Sequence, residues 1–286
     1  MDSKVAPFIP VSVIVLTKNE ETAIEDCINS ARDFMQILVV DSKSTDKTIE
    51  IASSLGASII NFEWNGKYPK KKQWALNLPE VKFDWVLFID ADERITPSLA
   101  RQIERFLAEP ISKRYAAIEI PLSYSFAGKR LRWGLRMYKR AFLNRRHCEF
   151  PVIDDLEVSN MWEVEGHYQP IVKEGIVGSF KSFLIHEDPD SLFHYFARHN
   201  RYSDWEAFLF NRPEVNAIVQ KARTGQGKIF NRLPFKSFLI FFYSYVLKLG
   251  FLDGKPGFHF AVSRSYYYWQ IKLKSKELQN AKIKIG

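Results

Sequence analysis

The first part of the chain alternates short apolar runs with stretches that carry helix signals. The runs whose length and composition match buried strands are 11–16, 37–40, 57–62 and 85–89. Helical stretches follow, the first from Thr17 to about Arg32 and the second ending at Gly56, a typical helix stop. Strands that alternate with helices pair in parallel through right-handed crossovers. The pattern predicts an α/β fold with a Rossmann-like, mostly parallel central sheet flanked by helices.

Polar side chains follow three of these predicted strands. Thr17, Asn19 and Glu20 come after the first strand, Asp41 ends the second, and the segment Asp90-Ala91-Asp92 ends the fourth. The carboxyl ends of parallel strands lie at one edge of a sheet, where α/β proteins bind ligands. Helix caps are the alternative explanation for each cluster, since Asp and Thr are favoured N-cap residues. Their convergence favours a binding site.

The two aspartates of the sequence VLFIDADER are the most informative of these residues. Mg²⁺ and Mn²⁺ prefer oxygen ligands and are often held by one or two carboxylates together with a phosphate. A helix start is again the alternative, but Thr96 followed by Pro97 already supplies a cap with proline at the first helical position. Asp90 and Asp92 are therefore expected to bind a cation and the nucleotide that it carries.

Composition and charge narrow the classes of partner. The 286 residues are 46% hydrophobic, enough for a sizeable core, and the formal charge of +8 indicates an anionic partner: nucleic acid, an acidic membrane surface or a phosphorylated substrate. Cys27 and Cys148 are the only cysteines. The chain therefore has neither a disulfide framework nor a cysteine zinc site, and a reducing cytosol is the expected compartment. Residues 1–10 lack the apolar segment of a signal peptide.

Missing motifs exclude two common classes of nucleotide-binding enzyme. Neither a glycine-rich dinucleotide fingerprint nor a phosphate-binding loop follows any of the predicted strands. The sequence therefore disfavours a nicotinamide dehydrogenase and a P-loop kinase.

Four segments together resemble the family 2 inverting glycosyltransferases, which have the nucleotide-diphospho-sugar transferase fold. They are VSVIVLTKNE, ILVVDSKSTDKT, WNGKYPKKKQWALN and DWVLFIDADERITP. Later segments, GSFKSFLIHED, FARHNRYSDWEA and LGFLDGKPGF, are similar to bacterial members that glycosylate lipopolysaccharide core or other envelope glycans. The resemblance implies transfer of a hexose from a nucleotide-diphospho-sugar, most commonly a uridine diphosphate sugar. The implied acceptor is a hydroxyl of a cell-envelope glycan or of a lipid-linked molecule, and the implied cofactor is Mn²⁺ or Mg²⁺.

The resemblance also implies roles for individual residues. Those expected to contact the nucleotide-sugar are Thr17, Asn19, Glu20, Asp41, Lys72, Gln73, Asp90 and Ala91. Asp92 would bind the metal that bridges the diphosphate. His186, at the end of a strand-like run, is a candidate second metal ligand, with a structural role as its alternative.

An inverting displacement needs a base that accepts the proton of the acceptor hydroxyl. Here the chain departs from the family pattern. Related envelope enzymes often carry a His-Glu pair shortly before a glycine-rich strand, whereas the corresponding place has Tyr168-Gln169 and no carboxylate. The nearest acidic residues lie upstream, in the segment EVEGH. We predict Glu165 as the base, with Glu163 and Asp155 as alternatives.

Two further segments carry basic or histidine side chains. Residues 129–140 are strongly basic and predict either a hairpin beside the acceptor cleft or a solvated face. Arg132 and Arg136 are the candidates for pairing with a phosphate or carboxylate of an acidic glycan. His194 and His199 fall on a predicted helix among aromatic residues, with a spacing typical of packing.

Residues 235–251 form the most apolar segment of the chain. A membrane span needs about 20 apolar residues, whereas this segment has 17 and includes Lys236 and Lys248. A helix packed on the catalytic domain and an interfacial helix are the alternatives. Lysines interleaved with aromatic residues, here and in 266–276, favour reversible binding to an anionic membrane leaflet.

These patterns predict two parts of the chain. A catalytic domain is expected over 1–190, with a nucleotide-sugar-binding half over 9–122 and an acceptor-side half over 123–190. A helical, basic and aromatic extension is expected over 191–286. The expected location is peripheral, on the inner face of the cytoplasmic membrane.

Two other functions compete with glycosyl transfer. A sugar nucleotidyltransferase would need a glycine-rich loop with a basic signature after the first strand, and that loop is missing. A non-enzymatic adaptor for membranes or nucleic acid would explain the charge but not the acidic strand ends. The expected partners are therefore a nucleotide-sugar donor, a glycan or lipid-linked acceptor and an anionic membrane, and not nucleic acid.

Overall fold

The computed structural model describes residues 8–156, 158, 163–165, 169–187, 191–221 and 235–285, with side chains as far as residue 280. By contact density the chain forms two compact units, each built from separate stretches of sequence. The first comprises Met1–Tyr124, Met137–Phe150 and Pro170–Pro189. The second comprises Ser125–Arg136, Pro151–Gln169 and Asp190–Gly286.

The first unit begins with the predicted alternation of strands and helices. The strands are β1 (Ile9–Thr17), β2 (Phe34–Asp41), β3 (Ser58–Asn61) and β4 (Trp85–Asp90), and the helices are α1 (Ile24–Ser30), α2 (Thr48–Ser54) and α3 (Lys71–Leu76). The predicted start of the first helix at Thr17 is wrong. Asn19 has a φ of 57°, outside the right-handed helical range. The backbone N–H of Asn19 instead donates to the Ser44 hydroxyl in the loop after β2, and that of Glu20 donates to the Thr48 hydroxyl at the start of α2.

The chain continues through β5 (Glu93–Ile95), α4 (Pro97–Ala108), a 3₁₀ turn (Pro110–Arg114), β6 (Tyr115–Phe126), β7 (Lys129–Arg130), β8 (Tyr138–Asn144), β9 (Cys148–Glu149), β10 (Ile171–Val172), β11 (Ile176–Ser179) and β12 (Leu184–His186). The N-terminus of α4 is the predicted one. The Thr96 hydroxyl oxygen accepts a hydrogen bond from the Leu99 backbone N–H at 3.2 Å, and Pro97 is the first helical residue.

The sheet of the first unit has the strand order β3-β2-β1-β4-β8-β6-β12-β5. β1 to β4 are parallel to one another, whereas β8 is antiparallel to both of its neighbours. In the strand register, Thr17 pairs with Asp41 and Leu16 pairs with Asp90. The polar strand ends therefore share one edge of the sheet, as the sequence predicted.

The hydrophobic core of this unit explains why these strands form. β1 is rich in β-branched residues and is buried along almost its whole length, and helices α1 and α4 bury one apolar stripe each. The core residues of these three elements include Val13, Val15, Ile24, Ile28, Leu99 and Ile103.

The second unit is built around the C-terminal helices. They are α5 (Leu192–Phe210), α6 (Pro213–Lys221), α7 (Lys236–Phe242), which runs into a π-helical turn (Tyr243–Leu247) and a 3₁₀ turn (Gly250–Asp253), and α8 (Lys255–Ile285). α5 packs on α8, where the Tyr195 and Ser263 hydroxyls lie 3.1 Å apart. Residues 235–251 are thus not one continuous helix. Among the described residues, none of the helices combines the length and apolarity that crossing a bilayer requires.

Candidate active site

The turn that joins β4 to β5 carries the aspartate pair and is fixed from two sides. β5 pairs antiparallel with β12, which places Glu93 opposite His186. The Glu187 backbone N–H donates to the Asp92 carbonyl at 3.0 Å. From the other side, the Arg94 guanidinium donates to the Ala91 carbonyl at 2.7 Å. The turn therefore presents its side chains at a defined position on the sheet edge.

Asp92 and His186 face each other within this cluster. Asp92 Oδ1 lies 3.5 Å from His186 Nδ1, and the imidazole stacks on the Tyr124 ring with centroids 4.9 Å apart. Both atoms are buried and have no hydrogen-bond partner among the described residues. Leaving a buried polar atom unsatisfied costs about 1–3 kcal/mol, and a bound ion can remove this cost. The pair of side chains fits a divalent cation.

Additional ligands would have to come from the substrate and from water. No group of three or more His, Cys, Asp or Glu side chains suited to a metal ion occurs in the part of the chain that the structure describes. Mg²⁺ and Mn²⁺ that are bound together with a nucleotide often combine one or two carboxylates with substrate phosphates.

Burial raises the pKa of Asp92 to about 6. The nearby His186 opposes this change, and the carboxylates of Asp90 and Glu93 add to it. The positive charges around Asp92 thus offset only part of the free-energy cost of ionising this buried carboxyl group.

Asp90 stands in a different environment, because Lys139 of β8 neutralises it. Lys139 Nζ donates to Asp90 Oδ2 at 2.8 Å and to Glu93 Oε2 at 2.6 Å. Glu93 is fully buried and also accepts a hydrogen bond from the Asp90 backbone N–H at 2.9 Å. Burial would raise the pKa of Asp90, but the charge of Lys139 outweighs it and holds that pKa well below its usual range. The two carboxylates likewise raise the pKa of Lys139 against the effect of its burial.

Glu93, Arg94 and Lys139 belong to the site although no role was predicted for them from the sequence. Glu93 and Arg94 directly follow the aspartate pair, which was the available signal. Lys139 is one of many cations in a basic run. Because β8 pairs with β4, Lys139 reaches Asp90 and Glu93, and these contacts distinguish Lys139 from the other cations of the run.

The predicted nucleotide contacts of β1 and β2 hold the two strand ends together. The Thr17 hydroxyl donates to Asp41 Oδ1 at 2.8 Å, and the Ser44 backbone N–H donates to Asp41 Oδ2 at 2.7 Å. Asn19 Oδ1 accepts from the Thr45 backbone N–H at 2.8 Å. The Glu20 backbone N–H donates to the Thr48 hydroxyl. These bonds shape the edge, and direct contact of these residues with a nucleotide stays a prediction.

Helix α3 brings cations to the same edge. Lys71 is buried, and its Nζ donates to the Thr17 carbonyl at 2.8 Å and to the Ser42 hydroxyl at 2.5 Å. The charge of Lys72 contributes to lowering the pKa of Asp90, so Lys72 lies near the aspartate pair. Gln73 Oε1 accepts from the Phe150 backbone N–H at 2.6 Å. The sequence indicated Lys72 and Gln73, whereas Lys71 is the residue that binds the strand ends.

The candidates for the catalytic base lie in the second unit. Glu165 is buried and Glu163 is partly exposed. Asp155 is buried and accepts a hydrogen bond from the Trp205 indole N–H at 2.9 Å. Gly166 and His167, which complete the segment EVEGH, lie outside the described residues.

Arg132 and Arg136 also belong to the second unit, and both are exposed. The Asp253 carboxylate accepts hydrogen bonds from the backbone N–H groups of Arg132 and Trp133, at 3.1 Å and 2.9 Å. The predicted hairpin over 129–140 is wrong in extent, because β7 has only two residues and β8 belongs to the sheet of the first unit.

His194 and His199 lie on α5, as predicted. His199 Nδ1 is 2.8 Å from the Tyr195 carbonyl, and its ring packs against Tyr195 and Tyr267. The structure thus brings Asp90, Asp92 and His186 together in the first unit, while the remaining acceptor-side candidates are residues of the second.

Comparison with known proteins gives several matches. The family model described as "Glycosyl transferase family 2" matches residues 12–160, just over half of the 286 residues. An uncharacterized glycosyltransferase of Rickettsia bellii (strain RML369-C) is 42% identical over 113 residues, covering 39% of this chain and 37% of the relative. The lipopolysaccharide core biosynthesis glycosyltransferase LpsC of Rhizobium meliloti (strain 1021) is 29% identical over 212 residues, covering 70% and 72%.

Among solved structures, S. aureus TarS 1-349 aligns with 95% of this chain and 92% of its own, with a TM-score of 0.42 and 16% identity. The glucosyl-3-phosphoglycerate synthase from Mycobacterium tuberculosis, in complex with Mn²⁺, uridine diphosphate and glucosyl-3-phosphoglycerate, aligns with 40% of this chain and 44% of its own. Its TM-score is 0.31 and its identity 24%.

The chain spans less than half the length of the Rickettsia relatives that it matches. The family match itself covers the parallel strands, the aspartate pair and the Lys139 strand. The expected α/β nucleotide-sugar transferase fold is confirmed, and the chain belongs to glycosyl transferase family 2.

Proposed function

We propose that this chain is a divalent-cation-dependent inverting glycosyltransferase. It would move a hexose from a nucleotide-diphospho-sugar, with uridine as the base, to a hydroxyl of a cell-envelope glycan or lipid-linked acceptor. The observation that carries the proposal is the pair formed by Asp92 Oδ1 and His186 Nδ1. Both atoms are buried, have no hydrogen-bond partner among the described residues and lie 3.5 Å apart beside the polar strand ends.

Each side chain of the cluster has a distinct task in this proposal. Asp92 and His186 hold the cation, which supplies positive charge that stabilises the departing nucleoside diphosphate. Lys139 keeps Asp90 ionised and fixed through the bonds to Asp90 and Glu93, so that Asp90 can accept hydrogen bonds from the donor. Lys71 holds the end of β1 in place through the Thr17 carbonyl.

The acceptor hydroxyl must lose a proton as it attacks the anomeric carbon. Glu165 is the preferred base because it is a buried carboxylate close in sequence to the position where related enzymes carry their acidic residue. Asp155, whose carboxylate accepts the Trp205 indole N–H, lies farther from that position in the sequence and is an alternative. Glu163 is the remaining alternative.

A relative's name and two exposed arginines support the proposed acceptor class and location. The Rhizobium meliloti relative is named for lipopolysaccharide core biosynthesis, and the alignment covers 70% of this chain. The exposed guanidinium groups of Arg132 and Arg136 suit the phosphate or carboxylate groups of an acidic glycan. We place the enzyme peripherally on the inner face of the cytoplasmic membrane, where nucleotide-sugars and lipid-linked acceptors meet.

A donor panel tests the proposal. The full chain is incubated with individual nucleotide-sugars and Mn²⁺ or Mg²⁺, with and without a bacterial envelope lipid extract as the source of acceptor, and the released nucleotide is identified by chromatography. Release of a nucleoside diphosphate from one donor would support transfer, and Glu165→Gln is expected to reduce only the part of this release that depends on an acceptor. Formation of pyrophosphate would instead indicate a nucleotidyltransferase, and the absence of turnover with every donor would contradict an enzymatic role.

A further inference from the structure

Helix α8 carries a row of apolar side chains on the face that does not pack on α5. Five of them, spaced three or four residues apart, have exposed fractions between 41% and 53% and are Phe258, Val262, Tyr266, Trp269 and Leu273. Lys255 and Lys276 continue the same spacing at its two ends. The opposite side of α8 is buried, with Phe260 and Tyr267 in the packed interior.

Helix α7 extends this row. The Phe241 and Tyr245 rings contact the Phe258 ring, with centroids 6.0 Å and 5.6 Å apart. On α7, Phe238 and Phe242 stack on each other and are exposed. We call the set Phe238, Phe242, Phe258, Val262, Tyr266, Trp269 and Leu273 the aromatic face. Because the Phe241, Tyr245 and Phe258 rings connect the two helices, these exposed side chains form a cluster, and clustered exposed apolar side chains often mark an interaction surface.

The charge around the aromatic face is predominantly positive. Between residues 235 and 277 the sequence holds seven basic residues and two acidic ones, Asp253 and the exposed Glu277. Asp253 is buried and accepts hydrogen bonds from two backbone N–H groups, so it does not offset the surface charge. Lys274 pairs with Asp204 at 2.6 Å, whereas Lys248, Lys272 and Lys276 are exposed.

We infer that the aromatic face rests on an anionic lipid surface. Aromatic and aliphatic side chains would enter the boundary between headgroups and acyl chains, and the lysines around them would contact anionic headgroups. Tyr and Trp are suited to this boundary because each combines an apolar ring with a polar group. A second copy of the chain is the poorer occupant, since two cationic faces repel each other.

This surface is narrower than the segments that the sequence indicated. The apolar segment 235–251 contributes only Phe238 and Phe242 of α7. Within the aromatic run 266–269, Tyr267 is buried, so the ring that faces outward next to Tyr266 is Trp269, with centroids 5.6 Å apart.

Sedimentation of the full chain with lipid vesicles tests the inference. The probes are vesicles of neutral phosphatidylcholine and vesicles that also contain anionic phosphatidylglycerol. Wild type is expected to bind the anionic vesicles and to be released as salt approaches about 0.5 M, because screening weakens the lysine contacts. The Tyr266→Ser/Trp269→Ser variant is expected to bind at least about tenfold more weakly. The charge variant Lys272→Glu/Lys276→Glu is expected to lose the preference for anionic vesicles.

Two control substitutions test whether a loss of vesicle binding is specific to the aromatic face. Met35→Ser removes an exposed apolar side chain of β2, and Lys113→Glu reverses an exposed charge of the first unit. Neither is expected to change vesicle binding. Circular dichroism and thermal melting check that the Tyr266→Ser/Trp269→Ser variant is folded.

Three results would overturn the inference. They are equal vesicle binding by wild type and the Tyr266→Ser/Trp269→Ser variant, equal binding to neutral and anionic vesicles, and self-association of wild type that this variant abolishes without any vesicle binding. The last would assign the aromatic face to a second copy of the chain. Vesicle binding requires neither donor nor cation, so it fails or succeeds independently of the proposed transferase activity.

Discussion

Asp90 and Asp92 are separated by a single residue, yet their carboxylates stand in opposite electrostatic environments. Lys139 donates to Asp90 and to Glu93, and its charge holds the pKa of Asp90 below the usual range. Asp92 Oδ1 accepts no hydrogen bond from the described residues, and burial raises the pKa of Asp92 to about 6. An unsatisfied carboxylate that destabilises the free protein is a property of binding sites rather than of structural ion pairs.

Replacing Asp92 by Asn is therefore expected to stabilise the cation-free protein near neutral pH. The folded pKa of about 6 lies above the ordinary value of 3.8. The stability that protonated Asp92 contributes is thus fully present below about pH 4 and is lost as the pH rises through about 6. At about pH 7 we expect Asp92→Asn to raise the free energy of unfolding by on the order of 1–3 kcal/mol.

Thermal or urea unfolding in the presence of EDTA measures this difference at about pH 7 and at about pH 4. Asp33→Asn, an exposed aspartate of the first unit, is the control and is expected to change little. A variant that is less stable than wild type at pH 7, or equally stabilised at both pH values, would contradict the description of Asp92.

The same site predicts stabilisation by a cation. Mn²⁺ together with a nucleoside diphosphate is expected to raise the melting temperature of wild type, since a ligand at about 100 times its dissociation constant adds about 2.7 kcal/mol. His186→Gln and Asp92→Asn are expected to lose this gain because each removes one ligand. Differential scanning calorimetry with and without EDTA measures it, and an undiminished gain in both variants would place the cation elsewhere.

Lys139 is expected to be necessary for stability. Its removal in Lys139→Met would leave the fully buried Glu93 without its cation, which typically costs about 3–5 kcal/mol. Urea unfolding measures the loss, with the exposed Lys113→Met as the control. A change within about 0.5 kcal/mol would show that Glu93 finds another partner.

At the level of elements, close packing in the second unit depends on Gly257 at the start of α8. A Cβ atom there would overlap the backbone carbonyl of Gly250 and the side chain of Asp253. We expect Gly257→Ala to destabilise the protein by about 1–3 kcal/mol or more, because backbone cannot move aside as a flexible side chain can.

Gly254→Ala is the matched control for this prediction. No atom lies within 4 Å of a Cβ at Gly254, but its φ of 69° is left-handed. With its ψ of −141° this backbone conformation is open essentially only to glycine, so a backbone penalty of about 1–3 kcal/mol is expected without any close contact. Urea unfolding measures both variants, and a loss below about 0.5 kcal/mol in Gly257→Ala would argue against the close contact of α8 with the 3₁₀ turn.

Elements with strong local signals were predictable from the sequence. β1, β2 and β4 are buried apolar runs, and Thr96-Pro97 begins α4 as a capped helix. The polar strand ends were predictable for the same reason, because parallel strands in register must place them at one edge. The start of α1 was not, since the backbone N–H groups of Asn19 and Glu20 donate to Ser44 and Thr48, which lie 25 and 28 residues away.

The sequence indicated Asp90, Asp92 and His186 as candidate site residues, but not Glu93 or Lys139. Asp90, Asp92 and His186 stand at the ends of apolar runs, which marks them in the sequence. Lys139 acts across the antiparallel pairing of β8 with β4, a long-range contact that local patterns do not encode. Similarly, no local pattern distinguishes the three consecutive lysines 70–72 from one another. In the structure, α3 buries Lys71 against the Thr17 carbonyl and leaves Lys72 nearer the surface.

At the scale of the whole molecule, the two units divide the proposed tasks. The first unit holds Asp90, Asp92 and His186, and the second holds the aromatic face and the buried Glu165. The formal charge of +8 is consistent with both proposed partners, since a nucleoside diphosphate and an anionic lipid surface are both negative.

This division predicts that membrane binding and donor chemistry can be separated by mutation. The Tyr266→Ser/Trp269→Ser variant is expected to hydrolyse donor in solution within about twofold of wild type, because both side chains are exposed and neither is among the residues assigned to the donor site. Initial rates of nucleoside diphosphate release measure it. A large loss of hydrolysis in a folded variant would show that the aromatic face also serves the donor site.

The most direct test of the central claim is the cation dependence of nucleoside diphosphate release from the preferred donor. Wild type is expected to release it with Mn²⁺ or Mg²⁺ and to stop when EDTA is added. Asp92→Asn is expected to be at least about 100-fold slower, while Asp33→Asn keeps the wild-type rate. Release that continues in EDTA, or an Asp92→Asn variant as fast as wild type, would contradict a cation held by Asp92 and His186.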